Sequence, residues 1–421
     1  MNLEDLGILI FSLMLIFESY AIYKNPMEVF SLRFIFVFIY WLGYHCNTWV
    51  YRLMGEIFAD KIAVSADIPT VLFYTSIFTL FVFIGYGFKN FYYKIEFNEK
   101  YWDVRIYSIL IFSILIVIFN RTGFDNFWIS TVSLGEDRGV QHGSLERLFS
   151  IFSTFLVPTI CGFYGCYIWV LGLVKRRKRL IVLGFIAIIL SIMPSAYSFS
   201  RASGFMLFMA AMFLSFTDYK RKNILMVILV ISGIYLGYVG FLKRGGFGYG
   251  LFINACFTPF DKIDISDFNI TDFTGPVTRY IAFYDIRGVS KGAYFDFLIN
   301  INPLPSLFLT STNASIDMGE ILKASGGVTT QTIAEIFVLF KYWALLGAFS
   351  FGYFLRKIDS QLVDKKNMFF VFAKITAIAC IGFSVHSNCR TSSRMFWLAF
   401  FSLIFGNYFF NKKLKVAYND K

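Results

Sequence analysis

The feature that most constrains this chain is its blocking, in which long apolar runs alternate with short basic clusters. The runs fall at 6–23, 28–45, 69–88, 104–120, 150–173, 180–199, 203–218, 223–242, 333–355, 367–386 and 391–410. A run of about 20 apolar residues is the length an α-helix needs to cross the hydrocarbon of a bilayer. The pattern therefore predicts an all-α polytopic membrane protein with about eleven transmembrane helices. The run at 203–218 is short and pairs with 180–199 as a hairpin turning at 200–204, and Pro158 and Pro194 predict kinks. Composition agrees: 57% of residues are apolar and only 16% charged, where a soluble domain carries about a quarter charged residues. The net charge of +12 lies mostly in inter-helix loops, which points to membrane orientation and away from nucleic acid.

Threading eleven spans in alternation puts the basic clusters at 89–105, 175–179, 220–222, 356–366 and 412–421, and Lys24 with them, on one side. The excess of lysine and arginine marks that side as cytoplasmic. The N-terminus is then outside and the C-terminus inside, in a multi-pass cytoplasmic (inner) membrane protein. Loops 46–68, 121–149 and 243–332 face outward. The domain reading is an N-terminal bundle of about eight helices over 1–242. A large extracytoplasmic loop over 243–332 follows, with short surface helices, and then a C-terminal set over 333–421. The six cysteines lack CxxC spacing and read as buried thiols. The first apolar run lacks a basic n-region and a small-residue cleavage site, so it reads as a retained helix.

Candidate chemistry lies on the predicted outer face. Arg201 occupies a serine-rich turn between two apolar runs. An arginine there either reaches lipid headgroups or clamps an anion, since guanidinium presents a fixed fork of donors that matches phosphate. Lys243, Arg244, Arg279, Arg287, Arg390 and Arg394 extend the set as substrate-binding candidates, each with a plain salt bridge as its alternative. Glu335, two residues into an apolar run, is the carboxylate favoured as general base, with a Glu–Arg pair as its structural alternative. His386 and His142 are the other candidates for acid–base work, against ordinary packing or interfacial polarity. Thr330 and Gln331 sit where they could bond sugar hydroxyls. No GxSxG, Walker A, HExxH or nucleotide fingerprint occurs, and neither a metal nor a cofactor is expected.

The serine–arginine turn at 200–201, the long loop after Lys243-Arg244-Gly245 and the Gly326-Gly-Val-Thr-Thr-Gln-Thr-Ile-Ala-Glu335 entry to the next helix carry a resemblance. The chain resembles the bacterial oligosaccharide repeat-unit polymerases, the O-antigen or capsule polymerases of the Wzy type. The paired arginine–glycine repeats described for some of them do not appear here at the expected ten-residue interval. The resemblance implies a fold like the GT-C-type lipid-dependent glycosyltransferases. It also implies an enzyme that transfers a glycan from undecaprenyl pyrophosphate to an incoming lipid-linked repeat unit, with outer arginines holding the pyrophosphate. Implied partners are undecaprenyl-pyrophosphate-linked oligosaccharides, membrane lipids, a flippase and a chain-length regulator. An O-antigen ligase shares these features. A lipid-linked oligosaccharide flippase or transporter is the rival without covalent chemistry, although the single late loop does not fit two related halves.

Overall fold

The computed structural model describes residues 2–49, 68–91, 157–197, 204–242 and 332–419, save 216, 218, 366, 367, 387 and 388, together with isolated positions between these runs. The chain divides into two units, Met1–Tyr93 with Ile270–Lys421, and Lys94–Asn269. All regular structure among the described residues is helical.

In the first unit, helix α1 (Leu3–Lys24) opens with a capping box. The Asn2 side chain accepts from the Asp5 amide at 2.7 Å, and the Asp5 carboxylate accepts from the Asn2 amide at 3.2 Å. Glu4 and Asp5 at its start and Lys24 at its end complement the helix dipole. The helix stops at Asn25, whose extended backbone (φ −145°) precedes Pro26. A 3-10 turn (Pro26–Phe30) follows, with Asn25 accepting from the Met27 amide at 3.2 Å. Ser31 then caps helix α2 (Leu32–Tyr40) through the Phe34 amide at 3.1 Å. This capped corner turns the chain back so that the last turns of α1 face the first turn of α2. A π-helical turn (Trp41–Cys46) extends α2.

Helix α3 (Ile68–Tyr86) ends at Gly87, which takes the left-handed conformation (φ 79°) that stops helices at low cost to glycine. Thr75 and Thr79 return their hydroxyls to carbonyls one turn back at 2.7 Å each, so these buried polar groups have partners inside an apolar helix. Beyond the long loop come helices α8 (Thr332–Phe340), α9 (Trp343–Lys365), α10 (Met368–His386) and α11 (Cys389–Asn419). Helices α3 and α9 touch backbone to backbone: a methyl at Gly85 would strike the Phe349 carbonyl, and one at Gly352 the Val82 carbonyl. Small residues at both crossings allow this approach. Tyr40 on α2 and Ser384 on α10 share a hydrogen bond of 2.7 Å.

The second unit holds α4 (Val157–Lys175), α5 (Lys178–Tyr197), α6 (Phe205–Ser215) and α7 (Lys222–Leu242). Arg176 (φ 54°) makes the tight link between α4 and α5, and Phe213 of α6 packs against the rings of Phe163 and Tyr167. Cys161 and Cys166 are buried free thiols in this packing.

The eleven-span expectation is corrected. Among the described residues, two helices are long and apolar enough to cross a membrane, α1 and α3. The predicted passage 333–355 is two helices, broken at Lys341 (φ 49°), and the second runs on into charged sequence through Arg356, Lys357, Asp359 and Asp364. The passage 28–45 is a 3-10 turn, a nine-residue α-helix and a π turn, and 203–218 yields eleven helical residues. In these three passages apolar run length did not translate into helix length, because corners and breaks fall inside or beside the runs. The multi-pass inner-membrane topology, with its outer N-terminus and cytoplasmic C-terminus, rested on alternating eleven spans and is corrected with them.

Candidate functional site

Five ionisable side chains meet inside the first unit, each from a different element. Glu18 comes from α1, Glu28 from the 3-10 turn, Arg33 from α2, Asp359 from α9 and Lys374 from α10. None is more than 1% exposed. The capped corner between α1 and α2 brings Glu18 and Arg33 together: Arg33 Nε donates to Glu18 Oε1 at 2.5 Å and Nη2 to Oε2 at 3.3 Å. Arg33 Nη1 donates to the Gly87 carbonyl at 2.8 Å, a carbonyl placed there by the left-handed end of α3. The guanidinium also lies 5.0 to 5.4 Å from the ring centres of Phe17, Phe83 and Tyr86. Every face of this cation is therefore met by a carboxylate, a carbonyl or an aromatic ring.

Asp359 is equally well held. Its Oδ1 stands 2.8 Å from Lys374 Nζ, while Oδ2 accepts from Tyr86 Oη at 2.6 Å and from the Leu32 amide at 2.8 Å. Glu28 is different. Its Oε1 accepts from the Phe91 amide at 2.7 Å and from Asn25 Nδ2 at 3.5 Å. Its Oε2 is buried without a hydrogen bond, and the nearest cation, Arg33 Nη2, is 3.9 Å away. Burial pushes the Glu28 carboxyl above its usual range. The Phe91 amide and the Arg33 charge pull it back, and Glu18 and Asp359 push it further up.

The cluster was absent from the sequence-derived candidates, yet a signal for it existed. Glu18, Arg33 and Lys374 interrupt apolar runs, and an ionisable residue in such a run is a functional candidate by default. Of the residues proposed from sequence, four lie on described elements. Glu335 is buried in the first turn of α8, His386 is the last residue of α10, Arg390 is the second residue of α11, and Arg394 is exposed one turn further on. A hydrogen bond of 2.8 Å between the Thr332 and Ser392 hydroxyls ties the starts of α8 and α11 together. His142, Arg201, Lys243, Arg244, Arg279, Arg287, Thr330 and Gln331 lie outside the described residues.

No protein family, curated protein or solved structure matches the chain. The resemblance to the repeat-unit polymerases is corrected accordingly. The GT-C-like scaffold it required had about eleven spans, and two qualifying helices are found among the described residues. The polymerase activity, with its ligase and flippase alternatives, needed that multi-pass scaffold to present the arginines on one outer face. Its assignment as a glycosyltransferase of polysaccharide biosynthesis is withdrawn with it. Among the described residues, no group of three or more His, Cys, Asp or Glu side chains is arranged to hold a metal ion.

Proposed function

We propose that the first unit works as a lipid-contacting helical scaffold, with α1 laid along acyl chains on one side and pinned by the charge cluster on the other. The observation that carries this reading is a stripe on α1. Leu9, Leu13, Ile16, Tyr20 and Tyr23 recur at four- and three-residue steps and are all exposed, Ile16 by 66% and Tyr23 by 85%. Phe11, Met14, Glu18 and Ala21, on the opposite side, are buried. Hydrophobic stripes of this size are rarely left facing water.

The ends of the helix fit the same reading. Twenty-two residues span about 33 Å at 1.5 Å per residue, close to the thickness of bilayer hydrocarbon. The exposed charges, Asp5 and Lys24, stand at the two ends. Lys24 Nζ lies 4.6 Å from the Tyr20 ring centre, and Tyr20, Tyr23 and Lys24 form a belt of the kind that sits at headgroup level. The exposed Ser12 hydroxyl is already bonded to the Ile8 carbonyl at 2.8 Å, so it adds little polarity to the stripe.

The test is photolabelling of the full chain in phosphatidylcholine vesicles that contain an acyl-chain diazirine, with adducts mapped by mass spectrometry. Adducts are expected at Leu9, Leu13, Ile16 and Tyr20 and not at Phe11, Met14 or Ala21. An unlabelled stripe, or cross-links joining the stripes of two copies, overturns the reading.

A further inference from the structure

The cluster holds three carboxyl groups and two cations, all buried. With every group ionised, it would carry one uncompensated negative charge away from water. Such a charge costs several kcal/mol even after relaxation, so something must neutralise it. We infer that the neutralising ligand is a single proton on Oε2 of Glu28, which makes the cluster a one-proton binding site.

Three observations select that atom. Glu18 takes both donors of the Arg33 fork, so it is the carboxylate paired with this cation. Asp359 has a cation of its own: its Oδ1 faces the Lys374 ammonium at 2.8 Å as an ion pair without hydrogen-bond geometry, and its Oδ2 takes two neutral donors. Glu28 has neutral donors, and both fall on Oε1. Oε2 receives none and lies 3.9 Å from Arg33 Nη2, so of the two Glu28 oxygens it is the one left to carry a proton.

Among the described residues, the groups around Glu28 come from five elements. Glu18 on α1, Asp359 on α9, Arg33 on α2 and Lys374 on α10 are the charged groups that act on it. Tyr86 on α3 donates to Asp359 at 2.6 Å. The strap after α3 covers it from outside: the Phe91 amide bonds Oε1, Asn25 Nδ2 lies 3.5 Å from the Phe91 carbonyl, and Lys89 Nζ sits 5.6 Å from the Phe91 ring centre. Arg356 of α9 borders the other end of that strap, 3.2 Å from where a methyl on Gly87 would stand. Loss of the proton leaves a third negative charge beside Glu18 and Asp359.

The sign of the pH dependence follows. A carboxyl held above its unfolded value binds its proton more tightly in the folded state. Its stabilising contribution is complete below the unfolded value and is lost as pH rises through the folded one. Across that window the unfolding equilibrium constant should rise by about tenfold per pH unit, the signature of one proton.

The experiment uses the full chain in detergent micelles. Infrared spectra are recorded across a pH series for wild type, Glu28→Gln and Glu18→Gln, reading the C=O stretch of a protonated carboxyl. Wild type should show this band at neutral pH and lose it at higher pH. Glu28→Gln should lack the band, and its stability should no longer vary over the same range. Glu18→Gln tests the charge count: removal of one carboxylate balances the cluster, so Glu28 should ionise and the band should vanish. The absence of the band from wild type at neutral pH overturns the inference without reference to any variant. Its survival in Glu28→Gln, or its persistence in Glu18→Gln, does the same.

Discussion

Lys374 and Asp359 offer the most direct measurement of what the cluster contributes, because the charge count predicts unequal effects from their two single substitutions. Breaking a buried pair by removing one partner typically costs about 3–5 kcal/mol. Asp359→Asn leaves two carboxyls and two cations, a balanced set, but places an amide donor against Lys374 Nζ, which stood 2.8 Å from the carboxylate. Lys374→Met leaves three carboxyls and one cation, so a second proton must be taken up or a second bare charge endured. The methionine variant should therefore lie toward the upper end of that range, at about 5 kcal/mol, and the asparagine variant toward the lower, at about 3 kcal/mol. In the double variant both charges go together, and the remaining Glu18, Glu28 and Arg33 keep the original imbalance of one. Replacing a whole buried pair by neutral side chains is often close to neutral for stability, so the double variant should return to within about 2 kcal/mol of wild type. Reversible denaturant unfolding of the full chain in mild detergent would supply the four free energies. Coupling below about 0.5 kcal/mol would mean that the two residues act independently. That result would refute the reasoning, as would an asparagine variant less stable than the methionine one.

Further outcomes can be measured in the same system. Tyr86→Phe removes the hydroxyl that donates to Asp359 at 2.6 Å and should cost about 1.5–3 kcal/mol, the range for a hydrogen bond to a charged group. Gly85→Ala and Gly352→Ala each force a methyl into a carbonyl of the facing helix and should lower stability by about 1–3 kcal/mol, whereas Gly347→Ala, which meets nothing within 4 Å, should not. Asn2→Ala removes the cap of α1 and should cost about 1 kcal/mol, read as fraying of the first turn by hydrogen exchange. Ile16→Ser, on the exposed stripe, should change stability by no more than about 0.5 kcal/mol while lowering acyl-chain photolabelling at that helix.

Helical class was legible in the sequence, because runs of apolar residues between polar joints leave few alternatives. Helix length was legible at 6–23, 69–88, 180–199, 223–242 and 367–386, and failed where a corner or a break falls within a run. The run at 28–45 contains Pro26 just before it and Ser31 inside it, two start signals that convert an apparent span into a corner and a short helix. The run at 333–355 breaks at Lys341, whose positive φ no periodicity announces. Helix α9 continues past the end of its apolar stretch because Asp359 is compensated by Lys374, Tyr86 and the Leu32 amide. Those partners lie 15, 273 and 327 residues away in the chain and cannot be read from local pattern.

The candidate site shows the same division. Sequence reasoning looked for charge at the edges of apolar runs and found arginines there, while Glu18, Arg33 and Lys374 of the described cluster sit inside them. Glu18 is the one carboxylate in the interior of α1, beyond the Glu4 and Asp5 of its first turn, and Lys374 is the one cation in the interior of α10. Each was legible as an anomaly, since an isolated charge in an apolar helix demands a partner. What could not be read was the pairing, because five charges can be matched in several ways and only the capped corner at Asn25 and Ser31 selects one. That corner joins Glu18 to Arg33, leaves Lys374 to Asp359 and places Glu28 between them without a cation of its own. The odd carboxyl is thus a consequence of a capped corner, and the proton inferred on it depends on Asn25 and Ser31, which carry no charge themselves.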